Sequence, residues 1–217
     1  MKEITLQDSK KIKLFKRFES KYLVEDSQIN LILDYLQYLN YFIVKDNNLS
    51  IFDYYSLYFD NDNLDTVKAH EKDNNIRQKL RIREYQNGDK FLEIKEKNNH
   101  KSIKTRIPVT SYELNNEKNW VDESFIYDTK TLTKTLEVRY KRMTFINKSK
   151  SHRVTLDFDI TCHNYITNKD YKLDNYTVIE IKKNKEENVK LEDYLVNNLL
   201  VNKTKFSKYY NGMLKTQ

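Results

Sequence analysis

The chain has 217 residues, a formal net charge of +7 and 38% hydrophobic residues. Seventeen Tyr and ten Phe give it large apolar bodies to bury, which excludes a disordered chain, and two Gly with one Pro exclude collagen-like or linker-rich architecture. The basic balance favours phosphate-bearing partners without saying which.

Residues 1–14 read as a basic N-terminal arm, loose or briefly helical, and 15–217 as one domain. Phe15 to Val24 reads as a strand. Asp26 and Ser27 offer N-cap oxygens ahead of Ile29, Ile32, Leu33, Leu36 and Leu39, whose spacing predicts an amphipathic helix. Residues 51–60 are aromatic-rich and strand-like; a polar connection then leads to a strand over Ile76 to Tyr85. Gln86 to Asp89 is a hairpin turn into Phe91–Lys97, and the turn at Asn98–His100 returns the chain as Ser102–Val109. Ser111 to Lys130 is the least patterned stretch, with a helix expected around Trp120. Leu132–Phe145 and His152–Cys162 are strands flanking the basic turn Asn147–Ser151. Tyr176–Lys182 is the last strand, and 191–214 holds one or two helices. About eight strands on hairpin-length turns predict a mainly β (α+β) fold: an antiparallel sheet or barrel, closed if the charged face turns inward, with flanking helices.

Lys79, Arg81 and Arg83 occupy every second position, with Leu80 and Ile82 between them, so one strand face is cationic and the other apolar. The pattern recurs at Arg17, Glu19 and Lys21, at Glu93, Lys95 and Lys97, at Arg153 and Asp157, and at Glu180 and Lys182. Such a face is either a wet surface or an anion site. Arginine's planar fork matches phosphate oxygens, and like charges on neighbouring strands repel unless something neutralises them. Glu19, Glu93 and Glu180 are ill placed to bind phosphate but suit Mg²⁺ or Mn²⁺. The lone Cys162 reads as a packing residue and excludes a disulfide framework or thiolate cluster. His70, His100, His152 and His163 lack metal-ligand spacing. No apolar run is long enough to span a bilayer and no signal-peptide core opens the chain, so a cytoplasmic location is expected.

Eight blocks, in order, resemble one known family: Arg17-Phe-Glu-Ser-Lys-Tyr22, Ser56-Leu-Tyr-Phe-Asp60, Arg77-Gln-Lys-Leu-Arg-Ile-Arg-Glu-Tyr85, Leu92-Glu-Ile-Lys-Glu-Lys97, Tyr140-Lys-Arg142, Arg153-Val-Thr-Leu-Asp157, Ile179-Glu-Ile-Lys182 and Phe206-Ser-Lys-Tyr209. Together they resemble the catalytic domain of the polyphosphate polymerases of vacuolar transporter chaperones (VTC). The resemblance implies a triphosphate tunnel metalloenzyme, a closed barrel that binds a triphosphate end-on, moves the γ-phosphate of ATP onto polyphosphate and uses Mn²⁺ or Mg²⁺. It implies phosphate ligands at Lys21, Arg81, Arg83, Lys95, Lys104, Arg142, Arg153 and Lys208, with Lys182 a secondary candidate. Arg81, Arg83, Arg142 and Lys208 would act in catalysis, Glu180 would hold the metal, and Glu19 is the further carboxylate candidate. Tyr58 and Asp60 are assigned to packing and turn chemistry.

One departure is Arg17, where related tunnel triphosphatases and cyclases carry a glutamate; that leaves only Glu19 and argues against a thiamine-triphosphatase-like activity with the metal held at the first strand. Hydrolysis of ATP or tripolyphosphate and non-catalytic polyphosphate binding remain rivals. A nucleic-acid-binding barrel needs aromatics on the cationic face, and Phe91 and Phe158 are assigned to the opposite parity. The expected partners are therefore ATP and polyphosphate, not nucleic acid; the chain shows no membrane segment of its own, and a membrane partner and the oligomeric state stay open.

Overall fold

The computed structural model describes residues 1–12, 18–99, 101–184 and 189–217. Phe15 and Arg17, and His100 of the second turn, lie outside the described residues. Those described form strands β1 (Lys2–Thr5), β2 (Phe18–Glu25), β3 (Phe42–Lys45), β4 (Phe52–Asp60), β5 (Ile76–Tyr85), β6 (Lys90–Asn98), β7 (Lys101–Val109), β8 (Thr133–Ile146), β9 (His152–Asn164), β10 (Lys169–Lys172) and β11 (Tyr176–Lys183). The helices are α1 (Leu6–Lys11), α2 (Ile29–Tyr38), α3 (Asp65–Glu71), α4 (Lys118–Ser124), α5 (Lys190–Asn197) and α6 (Lys208–Lys215). Short β1, β3 and β10 and helix α3 were not expected; the helix at Trp120 and the two C-terminal helices were.

Hydrogen bonding orders the main strands β2-β11-β9-β8-β4-β5-β6-β7. Among the described residues this corrects the closed barrel: the path is open, with β2 and β7 as its ends. A chain segment already occupies the outer edge of β2. Tyr22 bridges to Lys203, and the Thr204 N–H donates to the Lys21 carbonyl at 2.8 Å. The backbone edge at Lys21 and Tyr22 is thereby satisfied by this segment.

The chain divides into two compact units. The first comprises Met1–Phe52, Tyr140–Ile160 and Leu173–Phe206; the second comprises Asp53–Arg139, Thr161–Lys172 and Ser207–Gln217. In the first, Val24, Val154, Leu156, Ile179 and Ile181 form the apolar sheet face and pack with Ile32 and Leu36 of α2. Helix α2 stops at Asn40, which takes a left-handed φ of 58°, while the Tyr41 N–H donates to the Leu36 carbonyl at 3.0 Å. The caps expected of Asp26 and Ser27 are not made. A 3-10 turn, Asp26–Gln28, precedes Ile29, and Asp26 Oδ1 accepts instead from Thr177 Oγ1 at 2.7 Å.

In the second unit Leu57, Leu80, Ile82, Leu92 and Ile94 pack with Val121 and Phe125. Asp60 organises α3 from a distance. Its fully buried carboxylate accepts the N–H groups of Thr66 (3.1 Å) and Val67 (3.3 Å), satisfying donors that the first helical turn leaves open. Helix α6 comes close to its neighbours because residue 212 is glycine: a Cβ there would lie 2.6 Å from Leu136 Cδ2 and 2.9 Å from Cys162 Sγ. Burial pushes the Cys162 thiol up to about 12, in keeping with a packing role.

Candidate functional site

The charged face of the second unit is a grid set by strand register. Lys79, Lys95 and Lys104 stand directly abreast on β5, β6 and β7; the next row is Arg81, Glu93 and Arg106, and the third is Arg83, Phe91 and Pro108. Six cations thus share nine positions with one carboxylate. Like charges directly opposite one another destabilise a sheet, so the surplus favours binding of an anion.

Glu93 is fully buried and holds two of these cations. Its Oε2 accepts from Arg81 Nη2 at 2.7 Å and Nε at 3.0 Å, and its Oε1 accepts from Lys104 Nζ at 2.8 Å. Burial alone would raise the Glu93 pKa, but Arg81, Arg83 and Lys104 outweigh it and hold the carboxyl well below its usual range. Burial pushes the Lys104 ammonium down to about 8; Glu93 opposes this, while repulsion from Arg81 and Arg83 adds to it. Sequence alternation grouped Glu93 with metal-binding carboxylates. The register makes it a counter-ion that positions Arg81 and Lys104.

Further contacts orient the arginines. Arg81 Nη1 donates to Tyr58 Oη at 3.1 Å, and Arg83 Nε donates to Ser56 Oγ at 3.2 Å. Tyr58 stacks on Tyr209 at 4.7 Å between ring centroids, and the Tyr209 hydroxyl donates to Asp60 at 3.0 Å. Burial opposes ionisation of the Tyr58 phenol, but Arg81 and Arg83 prevail and lower its pKa. Tyr58 therefore has a role on the charged face that its assignment to packing missed. Lys79 donates to Ser207 Oγ at 2.6 Å; Ser207 is the N-cap of α6, which begins with Lys208.

The parity argument against nucleic acid is corrected at Phe91, which lies on the charged face beside Arg83. Phe91 shares the odd numbering of Glu93 and Lys95, so this was already visible in the sequence. Arg106 lies over its ring, 4.3 Å from the centroid, and the Tyr58 ring stacks on Tyr209.

The first unit builds its face differently. Lys21, Glu180 and Thr155 stand abreast on β2, β11 and β9, and the next row is Glu19, Lys182 and Arg153. Here carboxylates and cations alternate. Lys182 Nζ lies 3.4 Å from Glu180 Oε1, and Lys21 Nζ donates to the Phe206 carbonyl at 2.9 Å. Arg142 is gripped through Nε and Nη2 (2.7 Å) by both oxygens of fully buried Asp157. Arg153 Nη2 donates to the carbonyls of Ser9 (2.9 Å) and Ile12 (3.4 Å), so the N-terminal arm helps to hold an expected phosphate ligand. Asp157 as the positioner of Arg142 was not foreseen; the signal was its shared parity with Arg153 on β9.

Among the described residues, no cluster of three or more His, Cys, Asp or Glu side chains forms. Glu180 and Glu19 lie diagonally across β11 and β2, and the hydroxyl opposite Glu180, Thr155 Oγ1, is buried without a hydrogen-bond partner. Oxygen donors of this kind fit a hard divalent ion that keeps waters and phosphate oxygens in its other positions. No helix among the described residues is long and apolar enough to cross a membrane.

The VTC domain model matches residues 16–217. A search of curated proteins gives no match. A candidate adenylate cyclase from Bacillus halodurans is similar in structure, with a TM-score of 0.55, 13% identity, and coverage of 88% of this chain and 94% of that one. HpAC1 from Hippeastrum, a candidate adenylyl cyclase with a dominant triphosphatase activity, gives a TM-score of 0.55 at 16% identity, covering 90% and 95%. PH1819 from Pyrococcus horikoshii OT3 gives 0.52 at 14% identity, covering 91% and 95%. At these identities the solved structures establish the fold alone. With its model matched over nearly the whole length, the chain belongs to the VTC domain family.

Proposed function

We propose that the chain is a polyphosphate polymerase, transferring the γ-phosphate of ATP to a growing polyphosphate chain. The observation that carries this reading is the surplus of cations in the grid of β5 to β7, with six cations against Glu93. Family membership supports it.

Arg81, Arg83, Lys95, Lys104 and Lys208 of the second unit and Lys21, Arg142, Arg153 and Lys182 of the first are assigned to phosphate oxygens. Of these, Arg81, Arg83, Arg142 and Lys208 are assigned catalytic roles. Catalysis then consists of positioning and of stabilising charge as it develops, with donors fixed in advance by Glu93, Tyr58 and Asp157. The nucleophile is a terminal phosphate oxygen of the acceptor, so no side chain needs to remove a proton. Glu180, with Glu19 on the neighbouring strand, would hold Mn²⁺ or Mg²⁺. Such an ion, when bound, neutralises phosphate charge.

A second reading, triphosphate hydrolysis, is favoured by the activity of the Hippeastrum neighbour. Purified protein incubated with ATP and either Mn²⁺ or Mg²⁺ separates the two on a gel that resolves polyphosphate. A ladder of chains with ADP is expected. Free phosphate without chains would replace the polymerase with a triphosphatase, and no turnover in either metal would overturn both.

A further inference from the structure

Thr155 sits at an odd position on β9. It is 3% exposed on β9, between fully buried Val154 and Leu156, yet its Oγ1 is buried and has no hydrogen-bond partner. Valine has nearly the same shape, suits a strand and carries no hydroxyl, so packing alone would favour valine here. A hydroxyl kept at such a place calls for a ligand or a role.

The register supplies the context. Thr155 is directly opposite Glu180, and Glu180 is directly opposite Lys21 on its other side. Directly opposed residues share a sheet face, with Cβ atoms about 4.5–5.5 Å apart. A hard cation takes oxygen ligands at about 2.1 Å, so one ion can touch a carboxylate and a hydroxyl held at that spacing. The residues directly beside Glu180 on this face, Lys21 across β2 and Lys182 along β11, are ammonium donors and cannot ligate a cation, while Glu19 lies on the diagonal.

We propose that Thr155 is a further ligand of the divalent ion, its Oγ1 and the Glu180 carboxylate forming a two-oxygen seat across β9 and β11. The inference rests on the metal-dependent reading above and adds to it a residue outside the set that the resemblance implies. The neutral hydroxyl takes part without further negative charge, leaving the seat able to accept phosphate oxygens on the ion's remaining positions.

The test is binding of Mn²⁺, followed by the loss of the free-ion paramagnetic resonance signal, with Mn²⁺ alone and with a non-hydrolysable ATP analogue. Thr155→Val should weaken Mn²⁺ binding by about fivefold or more, while its melting temperature without metal stays the same or rises because a buried, unpartnered hydroxyl is gone. Thr155→Ser should bind within about twofold of the parent. Should the valine methyl crowd the site, Thr155→Ala serves in its place and should lose the same affinity. Glu180→Gln, expected to lose at least tenfold, separates the two levels. Weak binding in Glu180→Gln with parent-like binding in Thr155→Val overturns this inference alone. Parent-like binding in Glu180→Gln overturns the metal assignment and the inference with it.

Discussion

The two charged faces use the same side chains to opposite ends. In the second unit cations are massed: three lysines stand abreast, arginines flank them, and one fully buried glutamate holds Arg81 and Lys104. In the first unit charges are interleaved, with Arg142 locked to Asp157, Lys182 beside Glu180, and Lys21 and Arg153 on backbone carbonyls. A massed face gains from an anion through its whole field. An interleaved face is already near balance, so each of its groups is held in a definite place. The lesson is that counting cations per strand does not separate the two roles; the register of the carboxylates does.

The sharpest way to test this contrast is to remove cations from the massed face. Arg81→Ala and Arg83→Ala should each lower kcat by about 10²–10³-fold, the scale for losing one preorganised donor to transition-state charge. Steady-state turnover of ATP checks this, and activity within threefold of the parent in both variants would remove the grid from the mechanism.

Next comes the interleaved face, where the effect should appear first in stability. Arg142→Ala removes the ion pair with buried Asp157 and should cost about 3–5 kcal/mol. The double variant Arg142→Met/Asp157→Leu should recover most of that loss in denaturant unfolding while remaining inactive. A stable Arg142→Ala variant would mean that the pair contributes little to the fold.

The alternation of the sequence made the faces legible before any register was known. Leu80, Ile82, Leu92, Ile94, Val154, Leu156, Ile179 and Ile181 all lie in the cores, as expected. What alternation alone could not supply is which strand residue faces which. Reading Gln86–Asp89 as a four-residue turn hid the actual closing pair: the Tyr85 N–H donates to the Asp89 carbonyl at 3.0 Å, around a loop with Gly88 at φ 84°. That pairing carries down the hairpin to place Glu93 beside Arg81, and it turns a supposed metal ligand into a counter-ion. Helix α3 was invisible for a related reason. Its first turn is satisfied by Asp60, which lies outside the helix, so a local pattern of seven residues held too little signal. Strands β1, β3 and β10 have four residues each, too few for a period of two to stand out.

The smallest effect expected is a single proton. Lys104 titrates near 8 in the fold against 10.5 in its unperturbed form. Between those values the unfolded chain holds more protons, so stability rises with pH across that window, and below about 8 the charged ammonium is a cost to the empty fold. A bound polyanion reverses the balance by favouring the ammonium. Tripolyphosphate binding at pH 8.5 should therefore take up protons, seen as a dependence of the calorimetric heat on buffer ionisation enthalpy, and Lys104→Met should abolish that uptake. Uptake unchanged in the variant would assign the proton to another group.

The two ends of the strand path have a consequence for life in a crowded solution. An unpaired strand edge is a template onto which another chain can add. At Lys21 and Tyr22, in the middle of β2, that template is already occupied by residues 203–204 of the same chain. On β7 the defence is written into the strand itself: Pro108 has no N–H to offer, and Lys104 and Arg106 bring charge. A second molecule pairing along that edge would meet a missing donor and like charges. The chain thus leaves its sheet open without leaving it open to aggregation.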